Sequence, residues 1–203
     1  MNAPDGSHIF LRSRRSVRRF TGTVVERDVL QRILETATYA PSAHNRQPWR
    51  FAVVIDSKMR SALADTMAER FRLDLERDGL PIDQVKSRVE RSRARISAAP
   101  VAIVLCMDVG EMDQYTDPVR SESERVMAVQ STANAGVILL LAAHAEHLGA
   151  VWNCAPLFAP AAVQQVLHLP VSWEPQALLM MGKPAETPEP RPRKPLQEVA
   201  VFL

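Results

Sequence analysis

Apolar side chains along residues 26–39 (ERDVLQRILETATY) fall at Val29, Leu30, Ile33, Leu34 and Ala37, one face of a 3.6-residue repeat, and Pro41 closes the segment. This predicts an amphipathic helix. Residues 8–16 are expected to form a short helix leading into an arginine-rich turn, and residues 51–55 a short apolar strand. Residues 58–78 and 82–98 predict two charged helices split by Gly79-Leu80-Pro81; their arginines and glutamates suit solvated faces or a lid. Pro100 opens a second strand, 101–107, whose apolar run has no alternation and so predicts burial on both faces. A loop over 109–120 precedes the longest helix, about 122–147, whose second half (AGVILLLAAHA) is apolar nearly all round. Such a helix must be covered on every side, and 203 residues leave little to spare for that, so a second subunit is expected as cover.

Gly149 stops this helix. Residues 150–154 read as a third strand, 160–168 as a short helix opening on proline, and 176–182 as a final strand. Beyond it, five prolines between Pro184 and Pro195 force an extended path. That tail is either disordered or an arm wrapping a partner subunit, with residues 199–203 as its apolar anchor. No internal repeat is visible, and residues 1–203 are expected to form one domain.

Composition narrows the function classes. With 46% hydrophobic and 24% charged residues the chain is neither disordered nor fibrous. A net charge of +2 is too small for a general nucleic-acid binder. Cys106 and Cys154 exclude a disulfide scaffold, lack zinc-site spacing, and are read as small buried hydrophobes. The N-terminal stretch MNAPDGSHIFLRSRRS has no apolar core for a signal peptide, and the apolar run 135–143 falls short of the roughly 20 residues of a membrane span. A cytoplasmic protein is expected.

The basic residues carry most of the chemical information. Residues 12–20 (RSRRSVRRF) hold five arginines together with Ser13 and Ser16. That density is self-repelling unless an anion sits there, and a phosphate suits arginine forks and a serine hydroxyl; a solvated basic face or a nucleic-acid contact are the other readings. Residues 40–49 (APSAHNRQPW) put Ser42, His44, Asn45, Arg46 and Gln47 between two prolines. Their amides suit the donor and acceptor edge of a planar ligand, and the same stretch also reads as a helix-to-strand turn. Residues 152–160 (WNCAPLFAP) offer a flat apolar lining, with Trp152 placed in the core, and Arg191 and Arg193 in the tail are available to join the first cluster if the arm folds back. His144 and His147 lie three apart on one helix, spacing that suits a metal pair, but with only Glu146 close by a structural or interface role is favoured. No dinucleotide fingerprint, P-loop or nucleophile elbow is present, so the chain reads as built to hold a cofactor that brings its own reactivity.

RRSVRRF, then APSAHNRQPWRF, then a long helix ending in LGAVWNCAPLF together resemble the FMN-dependent nitroreductase family over residues 10–195. The stretch WEPQALLMMGKPAETPEPRPRKPL is similar to the subgroup containing the flavin domain of coenzyme F420 biosynthesis proteins. The resemblance implies an α+β fold with a central mixed or antiparallel sheet covered by helices, and an intertwined homodimer with FMN in two interface sites. By position, Arg14, Arg15, Ser16 and Arg18 are implied to hold the FMN phosphate and ribityl chain or pyrimidine edge, with Arg191 and Arg193 completing the phosphate grip. Pro41, Ser42, Ala43 and Asn45 are implied to reach the flavin from the other subunit, and Pro156, Leu157 and Phe158 to lie along the isoalloxazine.

Two positions depart from the family pattern. Phe158-Ala159 stand where many members carry an acidic residue and glycine, which makes the pocket more apolar, and His44 replaces a small polar residue. Residues 58–98 carry no family signature, and in such proteins this region shapes the substrate pocket. The implied activity is hydride transfer from NADH or NADPH through FMN to a nitroaromatic, quinone or similar acceptor. The alternatives are reduction of a dehydro-deazaflavin intermediate and a non-enzymatic flavin-binding or storage role. No nucleic-acid or membrane partner is expected.

Overall fold

The computed structural model describes residues 4–203; the first three residues of the N-terminal stretch lie outside the described residues. In chain order the elements are α1 (Pro4–Ser13), α2 (Arg27–Ala37), β1 (Trp49–Val54), α3 (Ser57–Arg77), α4 (Ile82–Ala98), β2 (Val101–Asp108), α5 (Pro118–Ala145), β3 (Gly149–Asn153), α6 (Pro160–Leu167) and β4 (Trp173–Gly182). Single 3-10 turns cover Ala43–Asn45, Val109–Glu111, Ala155–Phe158 and Leu196–Glu198. The strands form one antiparallel sheet in the order β1-β2-β4-β3. The chain is α+β, as its motifs implied.

The uniformly apolar β2 is buried on both faces because helices cover both. Val101, Ile103 and Leu105 pack with Leu30 and Ile33 of α2 and with Ala135, Leu139 and Ala143 of α5. The alternate residues Ala102, Val104 and Cys106 pack with Leu63 and Met67 of α3, Ile96 of α4 and Val163 of α6. The strand's two-residue period deals one hydrophobic run into two cores. Burial pushes the Cys106 thiol up to about 12.

The charged helices α3 and α4 lie together, joined by Arg93 to Asp65 at 2.5 Å, while Arg72 binds Glu69 and Glu76 along α3. Helix α5 starts at Pro118, four residues before the expected point. Asp117 caps it by accepting from the Val119 amide at 3.1 Å, and Pro118 occupies the first turn, where no amide donor is needed. By length and composition α5 could cross a membrane, yet half of its most apolar stretch is buried inside the fold. Val126, Val129 and Val137 remain exposed on it.

Three expectations need correction. Helix α1 ends at Ser13, so residues 14–16 are extended rather than helical. Strand β4 begins at Trp173, before the expected 176; Pro175 is tolerated because the β2 pairing shifts register between Leu105 and Cys106 and β3 pairs only from Leu178 onward. Cys154 lies past the end of β3 and is exposed, unlike the buried Cys106.

Candidate functional site

Where α1 stops, the chain turns extended and runs along the edge of β3. Val17 donates to the Ala150 carbonyl at 3.1 Å, and Ser16 bridges Ala150 in parallel register. The approach is close because residue 149 is glycine: a Cβ there would stand 2.7 Å from Val17 Cβ. Gly149→Val is therefore expected to push residues 14–18 off the strand and cost about 1–3 kcal/mol by overpacking, which thermal melts check.

The tail returns to the same place. Thr21 donates to the Lys183 carbonyl at 2.8 Å, Ala185 donates to the Arg19 carbonyl at 3.0 Å, and Phe20 bridges Pro184. The two ends of the chain are thereby sewn together, and a cavity of about 160 Å³ forms between Arg14, Arg15, Ser16, Arg18, Arg191 and Arg193, walled by Pro188 and Glu189. Among the described residues, none of these five arginines lies within ion-pair distance of a carboxylate; the nearby Arg19 does, with Glu186 at 3.6 Å. Three of them donate instead to main-chain oxygens: Arg15 to Arg12 at 2.6 Å, Arg18 to Ser16 at 3.2 Å, Arg193 to Arg191 at 3.0 Å. Burial, then the charges of Arg15 and Arg193, pull Arg14 below the ordinary guanidinium range. The cavity concentrates positive charge, with five guanidinium groups against the one carboxylate of Glu189 in its wall.

Behind it lies a second cavity of about 230 Å³ that shares Arg14 and Arg15 and reaches His144 and His147 on α5. Ser13 Oγ is 2.8 Å from His144 Nε2, and the Phe10 ring centroid is 4.9 Å from that imidazole. Burial, followed by the charges of Arg14, His147 and Arg15, lowers the His144 pKa and so favours the neutral ring. His144 thus packs against α1.

The 40–48 loop is docked on a different part of α5. Asn134 donates to the Pro41 carbonyl at 3.2 Å, Ala43 donates to Ser131 Oγ at 3.1 Å, and Gln47 donates to Ser42 Oγ at 3.1 Å. His44, Asn45 and Gln47 all have positive φ (50°, 54° and 52°), a left-handed path that costs a side-chain-bearing residue energy and that these hydrogen bonds hold in place. Ser131 and His144 are thirteen residues apart on α5, about 20 Å of helix. Within one protomer, then, Pro41, Ser42, Ala43 and Asn45 do not meet the arginine cavity.

The third motif forms the Ala155–Phe158 turn after β3, started by Asn153 Oδ1 accepting from the Ala155 amide at 2.8 Å. A cavity of about 470 Å³ opens between this turn and the α3–α4 pair, lined by Met67, Phe71 and Leu75 on one side and Asn153, Cys154, Ala155 and Phe158 on the other. Arg70 and Asp74 pair at 3.0 Å at its wall. Phe158 is 69% exposed, Leu157 is also exposed, and Pro156 is buried beneath them. Trp152 packs against the core, its ring so close to Gly136 that a Cβ there would come within 2.3 Å. Three contributions had no separate signal in the sequence: Ser131 and Asn134, which lie on α5 ahead of its apolar run 135–143, and Cys154, which the end of β3 turns outward.

Residues 11–183 match the profile of the Nitroreductase family. The chain is 29% identical to a Thermus thermophilus protein described as NADH dehydrogenase, covering 93% of this chain and 92% of that one. It is 29% identical to 5,6-dimethylbenzimidazole synthase of Rhodospirillum rubrum, covering 90% and 83%. Among solved structures, a Desulfovibrio desulfuricans protein described as a nitroreductase in complex with FMN superposes with a TM-score of 0.74 at 27% identity, covering 100% of this chain and 98% of that one.

Proposed function

This chain belongs to the Nitroreductase family, and from that premise we propose that it is an FMN-dependent oxidoreductase using NADH or NADPH to reduce a nitroaromatic, quinone or similar conjugated acceptor. One observation carries the reading: guanidinium groups from both ends of the chain surround one cavity with no carboxylate partner among the described residues. A phosphate dianion matches that donor set in charge and in geometry.

In this reading Arg14, Arg15, Ser16, Arg18, Arg191 and Arg193 hold the FMN phosphate. Strand β3 leads from Ala150, beside Ser16, toward Asn153 and the turn that follows it. Pro156, Leu157 and Phe158 then flank the flavin ring. Pro41, Ser42, Ala43 and Asn45 serve the flavin of the partner protomer in a homodimer, which accords with their separation from the arginine cavity along α5. The exposed valines of α5 and the exposed Val201, Phe202 and Leu203 of the tail supply apolar surface for that dimer. When bound, FMN would supply the redox chemistry, carrying hydride equivalents between the nicotinamide and the acceptor. The chain's own contribution is position and dryness. Met67, Phe71, Leu75 and Phe158 give the 470 Å³ cavity apolar walls suited to a flat ring. Asp78 stands at the wall beside the Arg70–Asp74 pair and leaves it with a net negative charge, which favours a neutral aromatic acceptor over an anion. No separate nucleotide motif is needed if donor and acceptor take turns in this slot, and a cytoplasmic location supplies the nicotinamide.

The test is an absorbance spectrum of the pure protein before and after anaerobic NADH or NADPH. Flavin bands that bleach with the donor and recover on adding a quinone or nitroaromatic are expected. Bands that do not bleach indicate a storage protein, and protein that neither carries nor takes up FMN overturns the reading.

A further inference from the structure

Outside the cavities described above, three titratable side chains from separate segments meet beside the 40–48 loop. His44 lies in the Ala43–Asn45 turn, Asp113 in the connection before α5, and Glu124 within α5, and each offers a ligand atom within 4.8 Å of the other two. A cluster of this kind on an open surface would mean little. Here Glu124 is only 5% exposed, and its Oε2 has no hydrogen-bond partner.

The surroundings make that carboxylate expensive. Ala43, Met112, Met127 and Ala128 belong to one small apolar cluster with Met107 and Val109, so Glu124 sits one helical turn from a dry patch. A buried carboxylate without a partner costs several kcal/mol and is normally neutralised by a proton, an ion pair or a metal. Arg46, the basic group that reaches the cluster, is already committed to Asp113, and no ion pair to Glu124 is present among the described residues. His44, held with φ of 50°, brings an imidazole nitrogen to the same point.

We infer that His44, Asp113 and Glu124 form a binding site for a first-row divalent cation of the zinc type. One imidazole nitrogen and two carboxylate oxygens are the borderline-to-hard set that such ions accept, with solvent completing the shell. Bonds of about 2.1 Å place tetrahedral ligands about 3.4 Å apart, so the three atoms need only draw together from their present separation. The cation offsets the charge of Glu124 and joins the 40–48 loop, the 109–117 connection and α5 at a single point. The site stands whether or not the flavin reading does, because its ligands are distinct from the residues assigned to FMN.

The experiment uses the full chain without an affinity tag, stripped by chelator and titrated with Zn²⁺ by calorimetry, with Co²⁺ absorbance as a second probe. One ion per chain, visible-region Co²⁺ bands of a low-symmetry nitrogen and oxygen site, and a rise in melting temperature are expected. His44→Ala and Glu124→Gln should each weaken binding by at least about tenfold, whereas His168→Ala should not. Glu124→Gln removes a buried charge, so it should fold at least as well as the parent without metal, which separates loss of the site from loss of the fold. Absence of Zn²⁺ binding to the parent overturns the inference, as does binding that His44→Ala and Glu124→Gln leave unchanged.

Discussion

Replacing Arg14 and Arg193 together with alanine is expected to yield colourless protein. Each guanidinium contributes charge-assisted hydrogen bonds to a phosphate, worth about 1.5–3 kcal/mol apiece, or roughly ten- to hundredfold in Kd for each residue. Fluorescence titration with FMN should show single variants weakened by about that factor and the double variant by about a hundredfold or more. The sign of the stability change is the sharper test. Burial first, and then repulsion from Arg15 and Arg193, already pull Arg14 below its ordinary range. Removing two of the crowded charges should therefore leave the FMN-free protein melting no lower than the parent. The parent should also gain melting temperature from inorganic phosphate, by mass action on the same cavity, and the double variant should not. A double variant that stays yellow refutes the phosphate assignment. One that loses flavin only because it no longer folds points to a structural role instead.

Ending the chain at Glu186 is expected to have the other large effect, on two readouts at once. The truncation keeps the main-chain bonds of Thr21 to Lys183 and of Ala185 to Arg19, together with the Arg19–Glu186 pair, so the sheet edge stays closed. It removes Arg191 and Arg193, and FMN should bind at least about tenfold more weakly for that reason alone. It also removes Val199, Val201, Phe202 and Leu203, all of them exposed. Side chains of this size stabilise by about 1.5–3 kcal/mol each when fully buried. If they anchor the arm on a second copy, sedimentation should show the dimer dissociating at concentrations where the parent holds together. Full flavin affinity and an unchanged sedimentation coefficient would show the arm to be idle.

Much of the architecture is written locally. The run 101–107 carries no alternation because helices close over both faces of β2, and the spacing of Leu30, Ile33 and Ala37 already draws the buried stripe of α2. The separated arginine groups and the proline-bounded polar loop were equally visible as chemistry. Periodicity and composition act over a few residues, so they can be read without knowing where the chain goes. What stayed hidden depends on path. Cys154 has apolar neighbours in sequence, yet β3 ends one residue before it and leaves it exposed at a cavity wall. Glu124 is one of several acids near the start of α5 and is buried because the connection before α5 and the loop ahead of β1 fold over it.

The sequence by itself determined the helices, the strands and the residue types able to grip a phosphate or flank a flat ring, because each follows from short-range periodicity and side-chain chemistry. Only the tertiary structure decided that the arginines near Arg14 and Arg193 share one cavity, that the 40–48 loop docks elsewhere on α5, and that His44, Asp113 and Glu124 meet. The physical reason is that contacts between distant segments are set by the packing of two cores on opposite faces of the sheet, which fixes where each loop emerges and which charges must lie side by side.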